Sequence, residues 1–296
     1  MRDMEYYKGK EKIKFILPES MRRNVRKAYL RFKYKGCDNG VLPDFLVIGQ
    51  MKCGTSSLYY YLTKHPQVLE AVEKEVNYFN FNYELGTDFY RKNFPTLEEV
   101  SKQSLLLKGK RVITGEATPE YLLHPLCPAR VRNVLPKAKL IVIMRDPVER
   151  AFSHFKHAQR FGMEKLDSFE KAINVEFERT KYGKMALSEG KTQYSYPFHQ
   201  FSYLERGLYK EQIDRWLKYY SLSDFLFIKL EDLQKNPKKT VNKVFNFLEL
   251  EDFELDEYPN RFLGKQGEMS KEVREKLQDY FYEPNRSLEE LIGISW

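Results

Sequence analysis

The residues best suited to chemistry lie in one short stretch, VIGQMKCGTSSLYYYL (47–62). Gly49 and Gly54 let the backbone turn closely around an anion. Lys52 adds a full positive charge. Thr55, Ser56 and Ser57 add hydroxyl donors where a helix begins, and the amides and dipole of that helix start also favour negative charge. A strand, a tight loop and a helix in this order form a phosphate cradle, with Cys53 enclosed in it beside Gly54. The nucleotide-triphosphatase loop GxxxxGK[ST] matches at both glycines, but Thr55 stands where its lysine belongs, and the lysine here sits two places before the second glycine. No acidic strand end for Mg²⁺ stands out; Glu116 is nearest. Phosphoryl transfer relies on metal to neutralise a highly charged group, whereas a sulfuryl group carries less charge and can be moved by lysine and backbone donors. The displaced lysine therefore favours sulfuryl over phosphoryl transfer, without metal.

A second constellation is KLIVIMRDPVERAFSHF (139–155). Arg145 ends a strand, where ligands collect in open parallel sheets, and its planar fork suits a terminal phosphate. Ser153 follows eight residues on, about two helical turns, and can face the same crevice. The competing role for Arg145 is an ion pair with Asp146 or Glu149; Arg150 reads as a structural partner.

Elements that must hold these groups can be read from the pattern of short apolar runs alternating with helical segments. Asp44–Gly49, Arg111–Gly115, Lys139–Arg145 and Phe225–Leu230 read as strands, and the unbroken β-branched run in 139–145 suits a strand covered on both faces. Helices are expected over Thr55–Lys64, from Pro147 to about Phe161, and over Lys210–Tyr220. Two short C-terminal helices, Ser270–Tyr282 and Ser287–Leu291, are expected on either side of Glu283-Pro284. Residues 164–203 look helical first and then become the polar, aromatic run KTQYSYPFHQFSY, expected to be a loop over the site. Strands separated by helices imply a parallel sheet with right-handed crossovers.

With these motifs in place, the chain resembles the sulfotransferases that use 3′-phosphoadenylylsulfate (PAPS), and within them the branch of heparan sulfate sulfotransferases and bacterial relatives. The resemblance covers about residues 43–292. It implies an α/β, P-loop-like nucleotide-binding fold, with a central parallel sheet flanked by helices. VIGQMKCGTSSL (47–58) fits the family loop for the 5′-phosphosulfate, so Lys52, Cys53, Gly54, Thr55, Ser56 and Ser57 are the expected donor contacts. Arg145 and Ser153 match the pair that binds the donor 3′-phosphate. FLGKQGEMS (262–270) is similar to a late loop that closes on the donor, with Lys265 at its lysine; the second basic residue often found near Gly267 is missing. EKEVNYF (73–79) resembles the segment that carries the proposed base, which falls on Glu75, and the adjacent aromatic run Tyr78–Phe81 is expected to keep it partly dry. Lys52 would stabilise charge building on the leaving oxygen. GEATPEYL (115–122) resembles a segment lining the acceptor side, which makes Glu116 an acceptor or Lys52-orienting candidate. His199, in the aromatic run, is the reserve candidate for an acceptor contact. The other histidines (65, 124, 154 and 157) read as structural.

Charge and composition bound what else the chain can be. Apolar residues make up 42% and aromatics 15% of 296 residues, ample for a large core. The net charge is +8. Residues 1–40 hold 12 Lys+Arg against 5 Asp+Glu, or +7, and the remaining 256 hold 38 against 37, or +1. The polyanion signature thus belongs to a basic arm (1–40) with an amphipathic helical pattern at MRRNVRKAYLRF (21–32), and the domain proper is 41–296. No nucleic-acid partner is expected. Apolar runs are too short for a membrane span, the first residues lack a secretory h-region, and three cysteines without CxxC spacing argue against disulfides or zinc, so a cytoplasmic protein is expected. The function read is sulfuryl transfer from PAPS, with PAP as product, to a small natural product or a glycan. Alternatives are a P-loop kinase of small molecules and a polyanion-binding protein without catalysis. Cys53, at a helix N-terminus where a thiolate would be favoured, reads first as a small residue of the loop; its accessibility there would make the enzyme sensitive to thiol reagents, with donor protecting it.

Overall fold

A computed structural model describes residues 40–259 and 268–296. The arm pattern at 21–32, Cys37 and Lys265 lie outside the described residues. Five strands, β1 (Phe45–Gly49), β2 (Val68–Glu70), β3 (Ile113–Ala117), β4 (Lys139–Met144) and β5 (Phe225–Lys229), form one sheet in the order β2-β3-β1-β4-β5. All four pairings are parallel, with Phe45 opposite Gly115 on one side and Lys139 on the other. The described helices are α1 (Thr55–Leu62), α2 (Thr87–Arg91), α3 (Leu97–Leu106), α4 (Cys127–Val134), α5 (Pro147–Arg160), α6 (Phe169–Asn174), α7 (Glu176–Ser188), α8 (Tyr196–Phe201), α9 (Tyr209–Leu217), α10 (Leu230–Lys235), α11 (Pro237–Phe247) and α12 (Lys271–Ile292).

Both faces of the central strands are buried, as their unbroken apolar runs require. Leu46 and Ile48 of β1, with Leu140, Val142 and Met144 of β4, pack against Tyr78, Tyr90, Leu122 and Trp216. The alternate residues Phe45, Val47, Ile141 and Ile143 pack on the other face against Leu58, Tyr59, Val241 and Phe245. Each such aliphatic side chain contributes about 1.5–3 kcal/mol. The chain leaves β1 in one direction and β4 in the other, so a crevice opens between their C-terminal ends, where ligands gather in open α/β sheets. The 49–57 loop and Arg145 flank that crevice.

Three sequence expectations are corrected. The strand expected at Arg111–Gly115 begins at Ile113, because its register is set by β2, whose Val68 stands opposite Ile113. The run at 191–203 is not all loop: Ser195 caps α8, its hydroxyl accepting from Phe198 N, and Pro197 sits within the first turn, where its missing N–H costs nothing. The two C-terminal helices are one, α12, with Pro284 inside it. Leu277, Phe281 and Leu288 of α12 are buried on both sides of the proline, and this packing holds the helix through the break in its hydrogen bonding.

Candidate active site

The 49–57 loop is fixed before any ligand arrives. Gln50 N donates to Ile143 O at 2.7 Å and Cys53 N to Gln50 O at 3.1 Å. Lys52 (φ 71°) and Gly54 (φ 88°) both adopt the left-handed region, which turns the chain so that α1 starts at Thr55 with no side-chain cap on its first amides. Those amides are the donors an anion would meet. Ser56 is half-buried, while Thr55 and Ser57 are buried. Ser57 lines a small cavity of about 40 Å³ with Leu230, Pro237 and Tyr258.

Lys52 Nζ lies 3.4 Å from His157 Nδ1. An ammonium only donates, so the imidazole accepts through Nδ1. Burial, with the charges of Lys52 and Arg160, pushes His157 down to about 4, which keeps it neutral at pH 7. Lys52 itself is lowered, first by burial and then by Arg145, with Arg160 and Arg150 adding to the effect. Crowding of cations around one lysine is relieved by an incoming anion, so the cluster favours one strongly. Glu149, Ser153 and His157 are spaced four apart on α5 and share one face of it. Arg145 Nη2 reaches Glu149 Oε2 at 3.5 Å, and the other oxygen of Glu149 accepts from Arg274 Nη1 at 2.5 Å. The ion pair weighed as the competing role of Arg145 is therefore present, on a guanidinium that also borders the lysine. Arg150 is fully buried and donates to Tyr203 O, a structural role as expected.

Glu75 reaches the loop through its neighbour. Lys74 Nζ donates to Ser56 Oγ at 2.5 Å and to Glu75 Oε1 at 2.9 Å, placing the carboxylate beside the start of α1. The partly dry setting expected for Glu75 is corrected: its side chain is 48% exposed, because Tyr78 and Phe79 turn into the core instead, Tyr78 stacked on Tyr90 and Phe79 edge-on to Tyr121. Glu116 is corrected too. It is fully buried and accepts from Thr118 Oγ1 at 2.6 Å, Tyr90 Oη at 2.8 Å, Tyr121 Oη at 3.0 Å and Val76 N at 3.3 Å. Its lone pairs are taken, so it orients neither acceptor nor Lys52; it anchors the segment that follows Glu75. Burial raises it to about 7 against the pull of these donors.

Cys53 is a further correction. Its side chain is fully buried in the core with Leu58 and Ile143, 3.8 Å from Tyr209 Oη, and burial pushes the thiol up to about 11. The thiol is enclosed, so the expected access to thiol reagents is absent. His199 is half-buried, its Nδ1 3.0 Å from Glu120 Oε1. Its ring meets Phe81 at 5.3 Å and Tyr194 at 5.5 Å, and those two meet at 5.0 Å. These three half-buried rings form an aromatic corner that begins six residues after Glu75. Sequence reasoning missed the Lys74–Ser56 bridge, the His157 contact and the buried pair Glu120–Arg206, at 2.7 Å. Among the described residues no group of three or more His, Cys, Asp or Glu could hold a metal ion.

A family profile described as "Sulfotransferase domain" matches residues 42–278. The chain belongs to the sulfotransferase family. Its curated relatives include the membrane-associated sulfotransferase kil1 of Dictyostelium discoideum, 27% identical, with 85% of this chain and 65% of that protein covered. They also include the bifunctional heparan sulfate N-deacetylase/N-sulfotransferase 4 of Mus musculus, 32% identical over 72% of this chain and 23% of that enzyme. The chain thus spans just under two thirds of the first and about a quarter of the second. A solved sulfotransferase from Alicyclobacillus acidocaldarius has TM-score 0.65 and 28% identity, covering 86% of this chain and 98% of that one. The sheet order and helical layers are therefore those of a sulfotransferase fold, near the heparan sulfate branch. No helix among the described residues is long and apolar enough to cross a membrane.

Proposed function

We propose that the protein moves a sulfuryl group from PAPS to a hydroxyl or an amine of a glycan or a small natural product, by in-line displacement, releasing PAP. Glu75 takes the acceptor proton. Lys52, with the amides that open α1, stabilises charge on the leaving phosphate oxygen. Arg145, Ser153 and Lys265 hold the nucleotide. The observation that carries this reading is the Lys74 bridge, which ties Glu75 to Ser56 of the loop that bears Lys52. A base must stand in line with the group being transferred, and a carboxylate tied to the loop that bears Lys52 supports that reading. The exposure of Glu75 fits a base that receives a proton from an acceptor arriving from solvent. Location in the cytoplasm is supported by the free, buried thiols of Cys53 and Cys127; "membrane-associated" is said of the Dictyostelium relative.

Glu75→Gln and Lys52→Ala are expected to lower turnover by about 100-fold or more, read as PAP formed from PAPS in the presence of an acceptor panel. Calorimetry should find PAP still bound by Glu75→Gln. Wild-type turnover in both variants, or a preference of the native protein for ATP–Mg²⁺ over PAP, would overturn the reading.

A further inference from the structure

A buried polar chain runs from the donor loop to the aromatic corner, and the transfer chemistry leaves it unused. Its orientation is fixed from one end. Gln212 Nε2 donates to the carbonyls of Glu205 and Leu208 at 3.1 and 3.2 Å, so its Oε1 must accept, and does so from Gln50 Nε2 at 2.9 Å. That turns Gln50 Oε1 toward two donors, Met51 N at 2.7 Å and Arg206 Nη1 at 3.1 Å. Arg206 Nη2 in turn donates to Glu120 Oε2 at 2.7 Å and to His199 O at 2.8 Å. The second oxygen of Glu120 meets the His199 ring. Gln50, Arg206 and Gln212 are almost wholly buried, so water cannot substitute for a lost partner. One planar guanidinium therefore spans from Gln50, the residue next to Met51-Lys52, to the backbone carbonyl of His199 and to Glu120, whose other oxygen meets the His199 ring.

A buried ion pair kept only for stability is commonly replaceable by apolar side chains. Here both ends of the chain terminate at groups of the site, and only a fork with two separate N–H edges satisfies them together. We propose that Arg206 is a positioning residue that couples His199 to the Lys52 loop, so that a change at the corner is felt in donor binding. This rests on the reading of the 49–57 loop as a PAP-binding site.

Calorimetric titration of the full chain with adenosine 3′,5′-bisphosphate tests it. His199→Ala is expected to weaken bisphosphate binding by about 3- to 10-fold, although His199 touches no residue of the loop. In an Arg206→Lys background, where one amine replaces the fork, the same His199→Ala change should have no further effect. Gln50→Ala provides the equivalent background if Arg206→Lys fails to fold: the Gln50→Ala/His199→Ala double variant should bind no more weakly than the weaker single one. Unchanged bisphosphate affinity in His199→Ala, or effects that multiply in the double variant, would overturn the coupling. Failure of the native protein to bind the bisphosphate at all would instead remove the functional reading beneath it.

Discussion

The proposed donor side and the proposed acceptor side of the crevice are built on opposite plans. On the donor side, loop, strand end and helix come from contiguous segments whose backbones are pinned to the central sheet, and the charges there are cationic and crowded: Lys52, Arg145, Arg150 and Arg160. On the acceptor side, the segment after Glu75 and the run around α8 meet through half-buried rings, Phe81, Tyr194 and His199. Their fixed points lie beneath them, at Glu116 and Glu120. A rigid cationic cradle suits an invariant nucleotide; ring faces on a buried carboxylate frame suit a contact that varies with the acceptor. On the proposed roles, the two halves of the transfer site are not equally preorganised.

The largest expected break of this contrast is on the donor side. Arg145→Ala should weaken PAP binding by about 10- to 100-fold, the loss of a charge-assisted, forked contact, measured by calorimetry. It should leave the unfolding midpoint nearly in place, since the Glu149 pair it breaks is partly solvated. A loss of affinity below twofold would mean that Arg145 serves Glu149 alone.

A smaller effect separates the frames under the two sides. Glu116 has a native pKa raised to about 7 from 4.5, so the folded state binds the proton more tightly than the unfolded one. Its contribution is fully present below about pH 4.5 and is lost as pH rises through 7, up to about 3 kcal/mol at 1.36 kcal/mol per unit. Glu176, raised to about 7 by burial as well, adds in the same direction. Glu120 runs the other way: burial raises it, but Arg206 and His199 outweigh that and hold it at about 2, so its stabilisation is lost only as pH falls from about 4.5 toward 2. Urea unfolding between pH 5 and 8 should show a decline that is flattened in Glu116→Gln. An unchanged slope would show that Glu116 is ionised throughout.

The smallest expected effect is none. Incubation with iodoacetamide should leave PAP binding and Cys53 unmodified in the native protein, because the thiol is buried and its pKa raised. Rapid alkylation blocked by PAP would show that the loop opens, and would make the donor side the more mobile half.

The donor cradle was legible because its parts are neighbours in the chain. Gly49, Lys52 and Gly54 lie on one backbone turn and helix start, and Arg145 and Ser153 on one strand–helix step, so spacing locates the turn, the strand end and the helix that carry them. Glu75 was proposed through resemblance, and the dry setting argued for it from adjacent aromatics was wrong because neighbours along an irregular segment point to different sides. The Glu116 carboxylate and the Cys53 thiol turned into the core for a related reason: a residue type near a motif says nothing of which way its side chain turns.

What the sequence determined by itself is the alternating α/β order, the doubly buried strands β1 and β4, and the tight loop that opens α1. Each follows from local periodicity or from short-range backbone geometry. What only the tertiary structure decided is the set of contacts made across the chain: Lys74 on Ser56, His157 on Lys52, and Arg206 between Gln50 and Glu120, 156 and 86 residues apart. Those partners are selected by burial, where a polar group must find whatever donor or acceptor the fold brings within hydrogen-bonding reach. That selection is a property of the packed chain, with no counterpart in the spacing of its residues.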